Sequence, residues 1–256
     1  RFEFRMVASS NSIGDTNTVL SAMMAEAFAD AIDALTGAED LDKAVEEYTL
    51  KLMREHERII FNGNGYTDEW LEEAKKRGLY NLVSTPDALP HFIDEKNEKL
   101  LTSHHIFTDA ELHSRYEIKL DNYVKTLHIE AGTLAEIIQK DLLPSITTYM
   151  EKIAQTAALK KSVVPDISVS AEASLLTQLT ELSETMTKDL ETLKKDTAMA
   201  EYETGKDLLK SAKLYQSVVL SDMEKVRASA DAAEVLIPDS ILPYPTYGKL
   251  LFSISD

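Results

Sequence analysis

The sequence predicts a mainly α fold: a helical bundle with one long antiparallel helical hairpin, preceded by a single strand. Apolar residues recur at helical spacing through most of residues 15–235. The 256 residues include only 8 Gly and 7 Pro, too little punctuation for a strand-rich sandwich. Period-two alternation marks residues 1–7.

The strand comes first. In RFEFRMV, Arg1, Glu3 and Arg5 fall on one face and Phe2 and Phe4 on the other. After Ser9-Ser10-Asn11-Ser12 the pattern predicts a helix from about Asp15 or Thr16. Leu20, Met23, Met24, Ala27, Phe28, Ala31, Ile32 and Leu35 form its apolar stripe, and Gly37 stops it. Its alanines allow close approach to a neighbour. Leu41, Ala44, Val45, Tyr48 and Leu52 mark a second helix reaching about Arg58.

The stretch IIFNGNGY joins a short apolar run to two Asn-Gly steps, a turn signal. Thr67 is expected to cap a short helix, Asp68 to Arg77. An acidic first turn, a basic last turn and the terminal Gly78 suit its dipole. Thr85-Pro86 reads as an N-cap followed by proline at the first helical position, with Pro90 limiting the turn.

Thr108-Asp-Ala-Glu111 is a capping box, which opens a long helix. Its stripe runs Leu112, Tyr116, Leu120, Tyr123, Leu127, Ala131, Leu134, Ile138, Leu142. Pro144 is expected to kink this helix rather than end it, because Ile146, Tyr149, Met150 and Ile153 resume the pattern. A loop around Pro165 follows. Leu175, Leu179, Leu182, Met186, Leu190 and Leu193 make one seam; Leu208, Ala212, Tyr215, Val219, Val226, Ala230 and Ala233 make another. Two such helices joined near 197–205 predict the antiparallel hairpin. The closing PDSILPYPTYGKLLFSISD is proline-punctuated and apolar, and is expected to dock rather than hang loose.

Composition narrows the function classes. The net charge is −17, so a phosphate backbone would be repelled and no nucleic-acid partner is expected. There is no Cys, which removes disulfide and thiolate chemistry and fits a reducing, cytoplasmic location. No apolar run approaches a membrane span, so no membrane partner is expected. A chain starting at Arg1 is expected to lack its true N-terminus.

The charged strand reads two ways. Glu3 between two guanidinium groups could be a solvated ion-pair ladder, weakly stabilising. The pattern alone favours that ladder; the functional reading is an anionic-ligand site. A carboxylate is a hard ligand for Mg²⁺ or Mn²⁺, and flanking arginines offer forked donors to phosphate or carboxylate. That combination suits phosphoryl transfer, where developing negative charge must be cancelled.

RFEFRMVASSNS followed by an Ala/Met-rich helix resembles the last active-site strand of glutamine synthetase, and more specifically of the type III enzymes. The resemblance continues through IIFNGNGYTDEWLEEAKKRGL, STPDALP, FTDAELHSRYEIKLDNYVKTLHIEA and PYPTYGKLLFS. Residues 162–235 match by helical character more than by motif. The resemblance implies a ligase that phosphorylates the glutamate side chain with ATP, then lets ammonia displace phosphate to give glutamine. It implies Mg²⁺ or Mn²⁺ held in part by Glu3. It also implies two positively charged contacts: Arg1 to the phosphoryl group and Arg5 to the glutamate substrate. Type III relatives often carry lysine at the Arg1 position. The family's N-terminal domain and its other metal-binding residues have no counterpart here, so a C-terminal fragment that is inactive alone is expected. Residues 1–61 would end the catalytic domain, with the first strand in its sheet. Residues 62–256 would form a type III-specific helical domain with a docked tail. The full enzyme would self-associate as two stacked hexameric rings. The alternative is a helical interaction or scaffold module without chemistry.

Other features read more plainly. Asn62-Gly-Asn-Gly65 lacks the lysine and hydroxyl of a phosphate loop and reads as a tight turn. His104, His105 and His113 include no histidine pair four apart, and no metal is expected among them. Trp70 and Tyr80 are expected to pack rather than form a ligand shelf.

Overall fold

Capping residues, apolar spacing and one proline set the helix boundaries in the computed structural model, which describes residues 12–253. The strand expected at residues 1–7 lies outside the described residues, and among the described residues every regular element is helical. The chain divides into two compact units, Arg1–Ile118 and Lys119–Asp256.

In the first unit, α1 spans Gly14–Leu35 and α2 spans Leu41–Glu55, the latter capped by Asp40, whose carboxylate accepts from Lys43 N at 3.1 Å. A 3₁₀ turn, Glu57–Ile59, leads to α3, Asp68–Lys76. Gly78 ends α3 with φ +68°, a left-handed position where a Cβ would be strained. Thr67 stands at the N-cap position with extended backbone, yet its side chain makes no capping hydrogen bond to the helix backbone. Its hydroxyl donates back to Asn64 O at 3.4 Å instead.

The next cap is one residue earlier than the sequence suggests. Ser84, not Thr85, caps α4 (Thr85–Ala88), accepting from Asp87 N at 3.3 Å, which puts Pro86 at the second helical position. Proline is tolerated there too, since the second N–H of a helix also has no intrahelical partner. After a 3₁₀ turn, α5 covers Glu95–Ser103.

The capping box at the start of α6, Asp109–Ile137, forms as expected. Thr108 N donates to Glu111 Oε2 at 2.9 Å, and Glu111 N donates to Thr108 Oγ1 at 3.3 Å. The core of this unit gathers Ala22, Leu101 and Leu112 beneath Phe92, Ile93, Leu100, Ile106 and Phe107.

The stripe expected to bury α1 does not do so. Met23, Met24, Phe28 and Ile32 are each more than half exposed, and the buried residue of α1 is Ala22. Small size explains the substitution: Ala22 packs against Leu101 of α5, whereas the larger side chains lie on a face that stays mostly exposed.

The second unit is built on its seams. The helix begun as α6 passes through a π turn, Ile138–Leu142, into α7, Leu143–Val163. Leu143 N bonds Ile138 O, one residue further back than in an α-helix. Pro144 has no N–H to return to Lys140, and the wider turn before it absorbs the misfit. The long α8, Ser170–Thr204, turns at Gly205 into α9 (Leu208–Leu214), a π turn (Tyr215–Val219) and α10 (Leu220–Glu234). α8 packs against α7 on one side and α9–α10 on the other, giving the antiparallel hairpin. Leu179, Met186, Leu190 and Leu193 of one seam and Ala212, Tyr215, Val219, Val226, Ala230 and Ala233 of the other are buried. A final short helix, α11, covers Tyr247–Leu251.

Candidate functional site

Arg1, Glu3 and Arg5, the residues singled out by sequence, lie outside the described residues. The described chain offers three other places where polar side chains converge.

The first stands at the junction of α5 and α6. Buried Leu101 and Leu112 fix the two helices over the same core. Above them Glu98, half-buried, approaches Asp109 and His113. One ligand atom of each lies within 4.8 Å of the other two. His113 Nε2 is 3.4 Å from Asp109 Oδ1. A hydrogen bond to Asp109 raises the carboxyl of Glu98 above its ordinary range, helped by desolvation and by the charge of Asp109 itself, while His113 pulls it the other way. An open cleft of about 430 Å³ borders them, lined also by Thr102, His105 and Phe107. His105 holds φ +54°, uncommon for a non-glycine residue.

The second centres on Arg77 at the end of α3. Its Nε donates to Glu73 Oε1 at 2.7 Å, and a terminal nitrogen donates to Ile60 O at 2.8 Å. That arginine, pinned to the backbone ahead of the Asn-Gly turn, lowers the carboxyl of Glu73. Phe61 stacks on Trp70 with ring centroids 4.1 Å apart, and the guanidinium lies 5.9 Å from the Trp70 ring. A Cβ at Gly63 would come within 2.5 Å of the Phe61 ring, so a larger residue there would displace that ring. Trp70 therefore packs, as expected. Tyr80 differs: it is 74% exposed and only stacks on His91. The arrangement ties a turn to a helix and leaves no free donor array for phosphate.

The third is in the second unit. A cavity of about 430 Å³ lies among Leu134, Ile138, Arg227, Glu234, Tyr244 and Leu250. The Tyr244 hydroxyl donates to Glu234, and burial with that neighbouring carboxylate raises the phenol far above its ordinary value. Arg227 is taken by Asp231 at 3.3 Å. The Tyr244–Glu234 contact ties the segment after α10 back to that helix. Deeper in the unit, His128 Nδ1 and the Tyr215 hydroxyl share a hydrogen bond of 2.9 Å.

The three histidines of the sequence reading do not converge. His104 Nε2 pairs with Glu26 at 2.6 Å, His105 takes its left-handed backbone, and His113 alone joins Glu98 and Asp109. The sequence reading looked for histidine pairs and passed over the mixed Asp109/His113 pair, four residues apart on one helix face. Glu98 could not be found that way, because the turn between α5 and α6 brings it in. No described helix is long and apolar enough to cross a membrane.

Comparison with known proteins gives a consistent result. A family model described as the glutamine synthetase C-terminal domain matches residues 44–161. A glutamine synthetase of Butyrivibrio fibrisolvens is 44% identical over 216 residues, 84% of this chain and 31% of the relative. A type-3 glutamine synthetase of Dictyostelium discoideum is 31% identical over 98% of this chain and 35% of its own length. A glutamine synthetase of Bacteroides fragilis is 27% identical over 99% of this chain and 36% of its own. The chain thus spans about a third of the length of the curated relatives it matches.

Proposed function

The chain belongs to the glutamine synthetase family, and from that membership we propose that it is the C-terminal part of a type III enzyme ligating ammonia to L-glutamate at the expense of ATP. The similarity to glutamine synthetases along most of the chain carries this reading. The apolar face of α1 supports it. Met23, Phe28 and Ile32 are 53%, 62% and 63% exposed, as suits a helix whose packing surface lies elsewhere in a longer protein.

In this reading residues 1–61 end the catalytic domain and residues 1–7 form a strand of its sheet. Residues 62–256 are a helical domain of the type III enzymes. Glu3 offers a carboxylate to a Mg²⁺ or Mn²⁺ ion, and Arg1 and Arg5 lie two positions to either side of it in the sequence. Arg1 binds the transferred phosphoryl group. Arg5 holds the carboxylate of the glutamate substrate with its fork of donors. A bound divalent ion supplies the charge neutralisation that phosphoryl transfer requires. The longer protein works in the cytoplasm and associates with itself as two stacked hexameric rings.

The test is glutamine formation from glutamate, ammonia and ATP by the full-length encoded protein. Activity dependent on Mg²⁺ or Mn²⁺ is expected. A folded full-length protein that releases no phosphate and makes no glutamine overturns the reading.

A further inference from the structure

We propose that Glu98, Asp109 and His113 form a binding site for a single transition-metal ion of the Zn²⁺ class. Three observations point there. Their ligand atoms converge within 4.8 Å although they come from two helices. Asp109 and His113 are four residues apart on α6, one face of one helix, and so form a natural chelating pair. Their measured separation of 3.4 Å is close to the edge of a tetrahedron whose metal–ligand bonds are about 2.0–2.1 Å, that is, about 3.3 Å.

The site sits on rigid ground. Leu101 lies three residues beyond Glu98, and Leu112 lies between Asp109 and His113; both are buried in one cluster with Ile106 and Phe107 against it. The ligands need no helix to move.

Charge favours a cation. Glu98 faces Asp109, Glu95 and His113. A metal ion bound between the two carboxylates relieves their repulsion. The N-terminal end of α6 carries about half a positive charge, which opposes a cation, but two carboxylates outweigh it.

The ligand set selects the ion. An imidazole nitrogen with two carboxylates suits Zn²⁺, Co²⁺ or Ni²⁺. It falls short of the 6–8 oxygens that Ca²⁺ takes, and Mg²⁺ disfavours imidazole. An open cleft beside Thr102 and His105 borders Glu98 and Asp109.

Zn²⁺ alone, titrated calorimetrically into the metal-stripped 256-residue chain near neutral pH, tests the proposal. Saturable 1:1 binding in the micromolar range is expected. Mg²⁺ should give no saturable heat under the same conditions. Glu98→Gln should weaken Zn²⁺ binding by more than about tenfold. His113→Ala should weaken it similarly, and His113→Gln serves in its place if the alanine variant loses its helical circular dichroism. Absence of 1:1 binding, or equal Zn²⁺ affinity in wild type and both variants, overturns the site.

Discussion

Asp222 is 3% exposed on α10, with Oδ1 accepting from Lys225 Nζ at 2.8 Å and Oδ2 without a hydrogen-bond partner. A buried carboxylate with one oxygen unsatisfied is costly. Replacing it with a side chain of similar reach should help: Asp222→Leu is expected to stabilise the chain by about 1–3 kcal/mol, read as a raised Tm. A lowered Tm would mean that the Lys225 contact outweighs the desolvation. Tyr215 makes the clearest pH prediction. Burial pushes its phenol from 10 to about 12, with the charge of Glu201 adding to the effect. A raised value means that its contribution is complete below the unfolded value of about 10 and is lost as pH rises through about 12. Stability should therefore fall between those limits in wild type, and the fall should be shallower in Tyr215→Phe. Denaturant melts at several alkaline pH values would reveal equal slopes if the account is wrong. Glu111 works in the opposite sense. Its capping bonds to Thr108 lower its carboxyl, so that contribution is present at neutral pH and is lost on acidification.

The elements divide into those that local chemistry fixes and those that packing fixes. Gly78 is the first kind: with φ +68°, Gly78→Ala should cost about 1–2 kcal/mol, and a chemical melt showing no loss would contradict the left-handed C-cap. The α8–α10 seam is the second kind. Leu193 is 1% exposed, and Leu193→Ala should cost about 2–5 kcal/mol. Most of this was legible in the sequence. The Thr108/Glu111 box, Asp68 as the start of α3, and the leucine seams all follow from spacing and cap chemistry. What was not legible has a physical reason in each case. The cap moved to Ser84 because a Ser, a Thr and a Pro in a row offer two rival caps. Pro144 was visible as a fault in the helix, but not the π turn that accommodates it, since the extra residue lies upstream of the proline. The second π turn, at Tyr215–Val219, has no proline to announce it. The Glu98–Asp109–His113 convergence depends on a turn between helices, which periodicity does not encode.

For the whole molecule, two kinds of apolar surface carry different meanings. The seams of the second unit are satisfied within the chain, whereas the α1 stripe is not. In the 256-residue chain, Phe28→Ser should change stability by less than about 0.5 kcal/mol. In the full-length protein the same substitution should cost about 2–4 kcal/mol, because the proposed catalytic domain covers that face. The sequence showed the stripe but not whether it would be covered, because periodicity reports which face is apolar and not what it meets. Glu3 remains the residue on which the functional reading turns. A carboxylate that holds a divalent ion at phosphoryl transfer contributes several kcal/mol to stabilising the transition state, so its loss lowers turnover by orders of magnitude. An ion-pair ladder on an exposed strand contributes almost nothing to turnover. The decisive measurement is steady-state glutamine synthesis by full-length wild type and Glu3→Gln across a Mg²⁺ titration. The account predicts that Glu3→Gln is at least about a hundredfold slower at saturating Mg²⁺ and keeps its thermal stability. Near-wild-type turnover by Glu3→Gln at ordinary Mg²⁺ would contradict it.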